Sequence, residues 1–577
     1  MWKMKALRST QRSVRRGIIL LGCVMFLWTK NPVHVVNAFS DLTFLTSTRS
    51  LRYGPQLWKT PALYASSSYS DQQYSSYLAT CIPGLAHVLQ QELQDLSDAD
   101  TEDIRDIALS GGSGVTFQAT REASLRILCW TRTAHKLLEL VASSEQSDGG
   151  MIFDKNDIHN FVRHEVNVKD LLGDGQGGLL TISCQCILNN AKLLPKELSH
   201  SHYTSLTIKN ALCDVVRELR GDRPDVELEN PDVPLVAILL GNSEGGENAA
   251  SLSLYRSLHP PGSLHKRGYR SGGAIHKAAM KESLAAGLLL EAGFHKKLDK
   301  SASLSDETLT VIDPMCGSGS FLVEGAMIAS DIAPALMRIK CGMREHQIPP
   351  VVRWKAAYYE DSATSSEREW KSILLDATKR AKAGIKGAQE KVQLYGNDIH
   401  GGALDILEDS LHQAGLSDLV SISNQNCYDL QLPSSKGSSP VLVLTNPPWG
   451  VRLTDDMEES WDALRHFLRD TCLERTEAWV LSGNQKLTSL LRLKRDRMIP
   501  IRTGEQQLRW IKYTIGCQPT PTISEHHETS HQAKASQGER RAPRGKPIRA
   551  AARSKRNFAK RQPMPTKASS SDDWFID

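Results

Sequence analysis

The feature that constrains the fold most is an apolar strand that runs into a glycine-rich turn and then into a helix, between residues 309 and 329. The strand ends at Asp313, the turn is Pro314-Met315-Cys316-Gly317-Ser318-Gly319, and the predicted helix covers 321–329. Glycines let a backbone approach a ligand closely, so the arrangement indicates a nucleotide-type loop. The turn lacks the lysine of a GxxxxGK(S/T) loop, which disfavours a triphosphate site. It also lacks strict GxGxxG spacing, which disfavours a nicotinamide dinucleotide site. A purely structural tight turn is the alternative.

Two further strands end in polar residues of the kind that bind ligands. Asp398 closes the strand-like run 392–397, where a doubly wound sheet presents a carboxylate to ribose hydroxyls. The apolar run 441–445 opens directly into Asn446-Pro447-Pro448-Trp449. A solvated strand-end aspartate and a decorative turn are the respective alternatives.

The Asn-Pro-Pro-Trp corner suits the exocyclic amine of a planar base. Pro447 and Pro448 remove two backbone donors and stiffen the loop, which leaves the Asn446 amide and the Pro447 carbonyl as fixed acceptors. Accepting the two N–H protons reshapes the nitrogen for attack on an electrophilic methyl group. Trp449 can stack on the base, which contributes about 1–3 kcal/mol. The corner therefore predicts methyl transfer to an amine.

The length and rhythm of the chain predict several α/β domains. At roughly 100–200 residues per domain, about three or four domains are expected. A composition of 40% hydrophobic and 23% charged residues excludes disorder throughout and a polytopic membrane protein. We predict a small α/β module over 76–150, a second α/β region over 151–260, and repeated strand–helix alternation over 261–518. Strands separated by helices imply a doubly wound, mostly parallel sheet.

Positive charge is concentrated at the two ends of the chain. The net charge is +5, yet residues 1–60 carry +9, residues 534–567 carry +11, residues 568–577 carry −3, and the body over 61–533 carries −12. Residues 519–577 lack periodic apolar positions, which predicts a disordered basic tail that neutralises phosphates or serves only solubility.

Residues 1–75 are predicted to be a targeting segment. Arg12, Arg15 and Arg16 precede a twelve-residue apolar run at 17–28, too short to span a bilayer and typical of a signal peptide. The acid-poor stretch from Phe39 resembles the transit part of a plastid address, so we expect a plastid protein without stable membrane association after processing. Simple secretion and a signal anchor are the alternatives.

The cysteines do not indicate a metal site. None of the eleven cysteines forms a CxxC pair, and the closest spacing, Cys184-x-Cys186, lies in a strand-like stretch. Reduced structural thiols and the absence of a metal cofactor are therefore predicted.

Taken together, the motifs resemble those of THUMP-domain RNA guanine-N2-methyltransferases, and within them the guanine-N2 half of the bacterial 23S ribosomal RNA enzyme. The resemblance rests on the three strand ends, on the basic hinge 264–270 and on the segment 478–484. It extends over about residues 76–516 and implies a ferredoxin-like module, a THUMP-like RNA-binding domain and a Rossmann-like methyltransferase domain. The resemblance is to one methyltransferase half of the bacterial enzyme, and no counterpart of its second half is expected among these residues.

The resemblance also implies roles for individual residues. S-adenosyl-L-methionine is the expected cofactor, and Asp398 is expected to bind its ribose. Asn426 stands where many relatives have an acid that pairs with the adenine, and Trp449 stands where relatives usually have tyrosine. The residues expected to hold the methionine part of the cofactor are Asp313, Pro314, Cys316, Gly317, Ser318 and Gly319. Asn446 and Pro447 are expected to bind the reactive amine.

RNA is the expected partner, with ribosomal RNA favoured. The candidate phosphate contacts are cations of the hinge and of the THUMP-like region: Lys209, Arg223, His265, Lys266, Arg267 and Arg270. A solvated surface charge is the alternative for each. Three other functions stay open, namely a transfer RNA guanine-N2 enzyme, an adenine-N6 or glutamine-N5 methyltransferase, and a non-catalytic RNA-binding assembly factor that retains the fold.

Overall fold

A computed structural model describes residues 74–516, apart from 99, 146–149, 173–179, 243–248, 271–278, 304–307, 355–359, 433–439, 451–456 and 473–475. The predicted targeting segment, except for its last two residues, and the predicted basic tail lie outside the described residues. In the part of the chain that is described, no single helix is both long enough and apolar enough to cross a bilayer.

The N-terminal half of the described chain forms one seven-stranded sheet with helices packed on it. Its strand order is β2-β3-β1-β4-β7-β6-β5. The strands are β1 (Ser75–Thr80), β2 (Ile104–Ser110), β3 (Gly114–Ala119), β4 (Lys136–Ser143), β5 (Ile182–Asn189), β6 (Val233–Asn242) and β7 (Ala249–Ser257). The helices are α1 (Ala86–Leu96), α2 (Arg121–Trp130), α3 (Lys155–Glu165), α4 (Val168–Leu172) and α5 (Ser201–Arg220).

This sheet joins the two modules that the sequence predicts as separate units. Strand β4 of the first module pairs antiparallel with β7 of the second, with Leu138 opposite Ser257 and Ser143 opposite Ser253. Both strands are edge strands of their own modules, and pairing satisfies the backbone groups that an open edge would expose. The first two modules therefore share a continuous hydrogen-bonded sheet.

The C-terminal half forms a second seven-stranded sheet, in the order β10-β9-β8-β11-β12-β14-β13. Its strands are β8 (Leu309–Asp313), β9 (Val392–Asn397), β10 (Val420–Ser423), β11 (Val441–Thr445), β12 (Glu477–Ser482), β13 (Arg495–Thr503) and β14 (Gln506–Thr514). The helices are α6 (Glu282–Glu291), α7 (Phe294–Ser303), α8 (Ser320–Ala329), α9 (Pro334–Lys340), α10 (Pro350–Trp354), α11 (Glu360–Lys391), α12 (Gly401–Ala414), α13 (Met457–His466) and α14 (Gln485–Leu490).

The second sheet has a topological switch point at its centre. From β8 the chain proceeds outward through β9 and β10 on one side and through β11 and β12 on the other, with all five strands parallel. Open α/β sheets bind ligands outside the carboxyl ends of their strands at such a point. The predicted α/β class with a mostly parallel, doubly wound sheet is confirmed, and the switch point lies where β8 and β11 end.

Candidate active site

The predicted cofactor turn and the predicted amine-binding corner begin side by side. Strands β8 and β11 are neighbours, with Val443 opposite Ile312, so the loops after Asp313 and Thr445 leave the same edge of the sheet. Both residues are buried, and the Met315 N–H donates to the Asp313 carboxyl at 3.2 Å. The two motifs therefore begin at the same edge of the sheet, at the switch point.

The turn after β8 is held from the neighbouring strand β9. The Cys316 N–H donates to the Asn397 carbonyl at 2.8 Å, and the Gly319 N–H donates back to the Cys316 carbonyl at 2.9 Å. Gly317 has a φ of +53°, and a Cβ added there would meet no atom within 4 Å. The positive φ favours glycine, and the open space beside it leaves room for a ligand against the backbone.

Asp398 is fixed by the same turn. One carboxylate oxygen accepts from the Gly317 N–H at 2.8 Å and the other accepts from the His400 N–H at 2.9 Å. Each carboxylate oxygen has a second acceptor position, so hydroxyl donors can still bind there. The ends of β8 and β9 thus form one preorganised unit around Gly317.

Asp313 is a buried carboxyl group without a cationic partner among the described residues. Burial raises its pKa to about 8; the Thr445 hydroxyl and the Met315 N–H lower the pKa, while the nearby Asp398 carboxylate raises it. A low-dielectric site with two carboxyl groups favours a positively charged ligand, because such a ligand stabilises their ionised forms. This charge balance fits a cationic ligand at the turn.

Tryptophan side chains hold the corner after β11. The Trp449 indole N–H donates to the Asn446 Oδ1 at 3.0 Å, and the Trp461 indole N–H donates to the Pro448 carbonyl at 2.6 Å. Trp449 is half-buried, and its ring lies against Gly483, the residue that follows β12. The sequence gives no signal for the contribution of Trp461, which belongs to α13.

Asn426, predicted to contact the adenine, lies three residues beyond the end of β10 and is exposed. Its side-chain oxygen accepts from the Tyr428 N–H at 3.0 Å and caps the short 3-10 turn Cys427–Asp429. Asn426 and Tyr428 line an open cavity of about 470 Å³ together with Glu458, Glu459, Asp462, Ala463 and Leu490. Asp313, Gly317 and Asn446 do not line this cavity. The two residues before Asn426 are bonded to the end of β9, because Asn424 Nδ2 donates to the Asp398 carbonyl at 2.7 Å and the Gln425 N–H donates to Asn397 Oδ1 at 3.2 Å.

Three of the predicted RNA contacts are accessible or partly so. Lys266 is exposed and Lys209 is half-buried on α5. Arg223 is exposed but forms an ion pair with Asp214 at 2.7 Å. These three cations can reach a phosphate without rearrangement of the core.

The prediction for Arg267 is wrong, because this residue is completely buried. Its guanidinium lies 3.4 Å from the Glu324 carboxylate and donates to the Leu264 carbonyl at 2.7 Å and to the Arg132 carbonyl at 2.5 Å. These contacts join the N-terminal module to helix α8 of the second sheet domain. Arg267 therefore stabilises the domain junction and cannot contact RNA in this structure.

The other two predicted phosphate contacts of the hinge, His265 and Arg270, also face the interior. Arg270 donates to the Met280 carbonyl at 2.8 Å and to the Ser320 hydroxyl at 2.5 Å, and it lies 3.6 Å from Glu282. Burial, with additional repulsion from nearby cations, lowers the pKa of His265 to about 3, so its imidazole is neutral at physiological pH. Neither side chain offers a free positive charge to a phosphate.

Within the described residues, no group of His, Cys, Asp or Glu is arranged to hold a metal ion.

The geometry so far defines a class: a Rossmann-like domain with a ligand site at its switch point, preceded by a sheet of two α/β modules. Comparison with protein families identifies the parts. Residues 76–138 match the RlmL ferredoxin-like domain, residues 188–243 match the THUMP domain, and residues 267–512 match the family described as "RMKL-like, methyltransferase domain". The chain thus contains a ferredoxin-like domain, a THUMP domain and an RMKL-like methyltransferase domain, in that order, as the resemblance predicts.

Individual relatives agree with these domains. The chain is 28% identical over 441 residues to "Ribosomal RNA large subunit methyltransferase K/L" of Syntrophotalea carbinolica, with 76% of this chain and 53% of that protein covered. The chain therefore spans about half the length of this relative.

Two solved structures share the fold. A possible methylase from Clostridium difficile 630 has a TM-score of 0.58 at 17% identity, with 78% of this chain and 100% of that chain covered. SMU.472, a putative methyltransferase complexed with SAH, has a TM-score of 0.58 at 18% identity with the same coverage.

Proposed function

We propose that the protein is an S-adenosyl-L-methionine-dependent RNA methyltransferase that forms N2-methylguanosine in large-subunit ribosomal RNA. The observation that carries the proposal is the adjacency of the Asp313 turn and the Asn446 corner at the ends of paired strands. Support comes from the RMKL-like methyltransferase domain, the THUMP domain, and the relatives named as ribosomal RNA large subunit methyltransferases.

The residues around Gly317 fit the proposed cofactor. The open side of the turn accommodates a ligand against the backbone, and the Asp313 and Asp398 carboxyl groups suit a ligand that combines positive charge with hydroxyl donors. Asp313 and the Cys316–Gly319 turn would hold the methionine part and Asp398 the ribose. When bound, the cofactor supplies an electrophilic methyl group.

The protein contributes orientation and acceptors rather than a strong base. Asn446 Oδ1 and the Pro447 carbonyl accept the amine protons of guanine, which offsets the positive charge that develops on nitrogen during transfer. Trp449 supplies a ring face for stacking. Holding amine and methyl in line contributes most of the rate enhancement, because an oriented pair reacts as one molecule.

RNA binding is assigned to the accessible cations of the THUMP domain and the hinge. Lys266 and Lys209 are the proposed phosphate contacts, with Arg223 contributing when it leaves Asp214. Contacts to phosphates and to the shape of the RNA do not select a base. The methylated guanine is the one in an unpaired nucleotide that enters the site.

The test is to identify the methylated nucleoside. Purified protein is incubated with methyl-deuterated cofactor and either protein-free large-subunit ribosomal RNA or transfer RNA, and the digested nucleosides are analysed by mass spectrometry. We expect deuterated N2-methylguanosine from ribosomal RNA. Product from transfer RNA alone would identify a transfer RNA enzyme, N6-methyladenosine would identify an adenine enzyme, and cofactor binding without product on any RNA would indicate an assembly factor.

For the location, we propose the plastid, on the strength of residues 1–75. The expected outcome is that these residues, fused to a fluorescent protein, direct it to plastids in an alga with secondary plastids. Secretion of the fusion into the medium would contradict the proposal.

A further inference from the structure

The contact between Trp449 and Asn446 determines which way the catalytic amide faces. An indole N–H is a donor only, so its partner at 3.0 Å must be the amide oxygen rather than the amide nitrogen. Pro447 restricts the backbone of Asn446, because a residue before proline is confined to extended conformations. The remaining freedom of Asn446 is rotation of its side chain, and the indole removes the ambiguity between its two ends.

The ring of Trp449 occupies space that is open because Gly483 has no side chain. A Cβ added to Gly483 would lie 2.8 Å from Trp449 Cε3 and 3.0 Å from Cζ3, distances that real contacts essentially never reach or seldom approach. Gly483 has an ordinary φ, so its lack of a side chain serves ring packing rather than backbone conformation. The indole therefore lies in a position that only glycine at 483 permits.

This arrangement leaves one acceptor position available on Asn446. The amide oxygen has two lone pairs, of which the indole N–H uses one. The second can accept an N–H of the substrate amine. If the amide were reversed, its NH₂ group would face the amine and two donors would oppose each other, which costs the bond and leaves both groups unsatisfied.

We propose that Trp449 is a positioning residue that fixes the Asn446 amide with its oxygen available for the substrate amine, and that Gly483 provides the place for its ring. The inference rests on the proposed function. It assigns the indole N–H a role separate from stacking, one that neither tyrosine nor phenylalanine at 449 reproduces: a tyrosine hydroxyl can donate or accept and does not select the oxygen, and phenylalanine has no donor.

The hydrogen bond is tested first without any activity measurement. The Trp449 indole N–H is assigned in NMR spectra of the full chain by its loss in Trp449→Phe, and its exchange with solvent is measured in Asn446 variants. In Asn446→Ala we expect exchange at least about fivefold faster, and in Asn446→Asp, whose carboxylate still accepts, a rate near the original. Equal rates in all three proteins would overturn the contact, whatever the protein methylates.

The role in methyl transfer is tested by a double-mutant cycle. Trp449→Phe keeps an aromatic ring and removes the donor, so we expect kcat to fall about five- to tenfold while KM for RNA changes less than about twofold. A carboxylate has two equivalent oxygens and no wrong orientation, so in the Asn446→Asp background the same change is expected to lower kcat less than about twofold. An equal loss in both backgrounds would show that Trp449 does not act through Asn446.

Gly483 provides the matched control for ring placement. Gly483→Ala displaces the indole and is expected to lower kcat at least as much as Trp449→Phe does. In the Trp449→Ala background the remaining close neighbour of the added methyl is Leu508 Cδ2 at 3.2 Å, the end of a flexible side chain, so little further effect is expected. A loss of the same size in both backgrounds would refute the proposed place for the ring. If the unmodified protein transfers no methyl group to any RNA, the proposed function fails while the NMR result still decides the contact.

Discussion

The strand ends of the second sheet bring polar side chains together at one edge, whereas the basic hinge before the sheet holds Arg267 and Arg270 against internal partners. At the strand ends, Asp313, Asp398 and Asn446 lie at one edge of the sheet. In the hinge, Arg267 is buried in an ion pair and His265 is neutral, and Lys266 remains as the exposed cation of the cluster. In this protein, the position of a motif at the end of a strand predicts where its residues lie. A run of basic residues in the sequence does not predict whether their side chains are accessible.

The difference has a simple physical origin. Parallel strands in a doubly wound sheet must end at the same edge, so residues that follow them converge whatever the lengths of the intervening helices. A cation in a loop has no such constraint, and a neighbouring element can surround it. Glu324 in α8 compensates the charge of Arg267. The sequence near residue 267 does not indicate that Glu324 is its partner.

The largest expected effect is on stability and separates Arg267 from its neighbour in the chain. Arg267→Ala leaves Glu324 buried without its cation, which is expected to cost about 3–5 kcal/mol. Lys266 is exposed, so Lys266→Ala is expected to change the free energy of unfolding by less than about 0.5 kcal/mol. Urea unfolding of both variants checks the comparison, and similar midpoints would show that Arg267 is not a structural residue.

Asp313 sharpens the comparison through pH. Its pKa in the folded protein is raised from 3.8 to about 8, so between these values the folded chain retains a proton that the unfolded chain releases. Stability is therefore lost as the pH rises through this range, at up to about 1.4 kcal/mol per pH unit. Without cofactor, Asp313→Asn is expected to gain stability relative to the unmodified protein between pH 6 and pH 8. A pH-independent difference in unfolding midpoints would contradict the buried acid.

Two glycines test how tightly the strand ends are packed. A Cβ at Gly396 in β9 would lie 2.5 Å from Leu322 Cδ1 and 3.3 Å from Cys316 Sγ, whereas one at Gly402 in α12 would meet nothing within 4 Å. Gly396→Ala is expected to lower the free energy of unfolding by about 1–3 kcal/mol. Gly402→Ala is expected to raise it by about 0.5–1 kcal/mol, because alanine favours a helix. Thermal unfolding of the pair measures both, and a stabilising Gly396→Ala would mean that the turn is loosely packed.

The smallest expected effect concerns RNA. Lys266→Ala and Lys209→Ala are each expected to reduce the slope of log affinity against log salt by about 1. Lys371, an exposed lysine of α11 paired with Glu367, is the control and is expected to leave the slope unchanged. Binding titrations at several salt concentrations provide the slopes, and identical slopes for all three variants would remove the two lysines from the RNA interface.

Much of the fold could be predicted because apolar strands and glycine turns carry strong local signals. The strand-like stretch that contains Cys184 and Cys186 is strand β5, Ile182–Asn189. The 32-residue helix Glu360–Lys391 and the closing hairpin of β13 and β14 were not predicted. Five of the first six residues of β13 are exposed, which removes the alternation that identifies a strand.

The site could be predicted to the level of its loops and no further. The sequence indicates that the Asn446 corner carries acceptors, yet the bond from Trp449 to Asn446 depends on side-chain rotation and on Gly483 from another strand end. Likewise the pKa of Asp313 depends on burial among distant segments of the chain. Such features arise from tertiary packing and leave no local pattern.

The most direct test of the central claim separates the two loops by their roles. Cofactor affinity and methyl transfer to ribosomal RNA are measured for Asp398→Ala and Asn446→Ala. We expect Asp398→Ala to weaken cofactor binding at least about tenfold. Asn446→Ala should retain cofactor affinity and lower kcat about 10²–10³-fold, since it removes an acceptor for the developing charge. Unchanged turnover in Asn446→Ala would contradict the account.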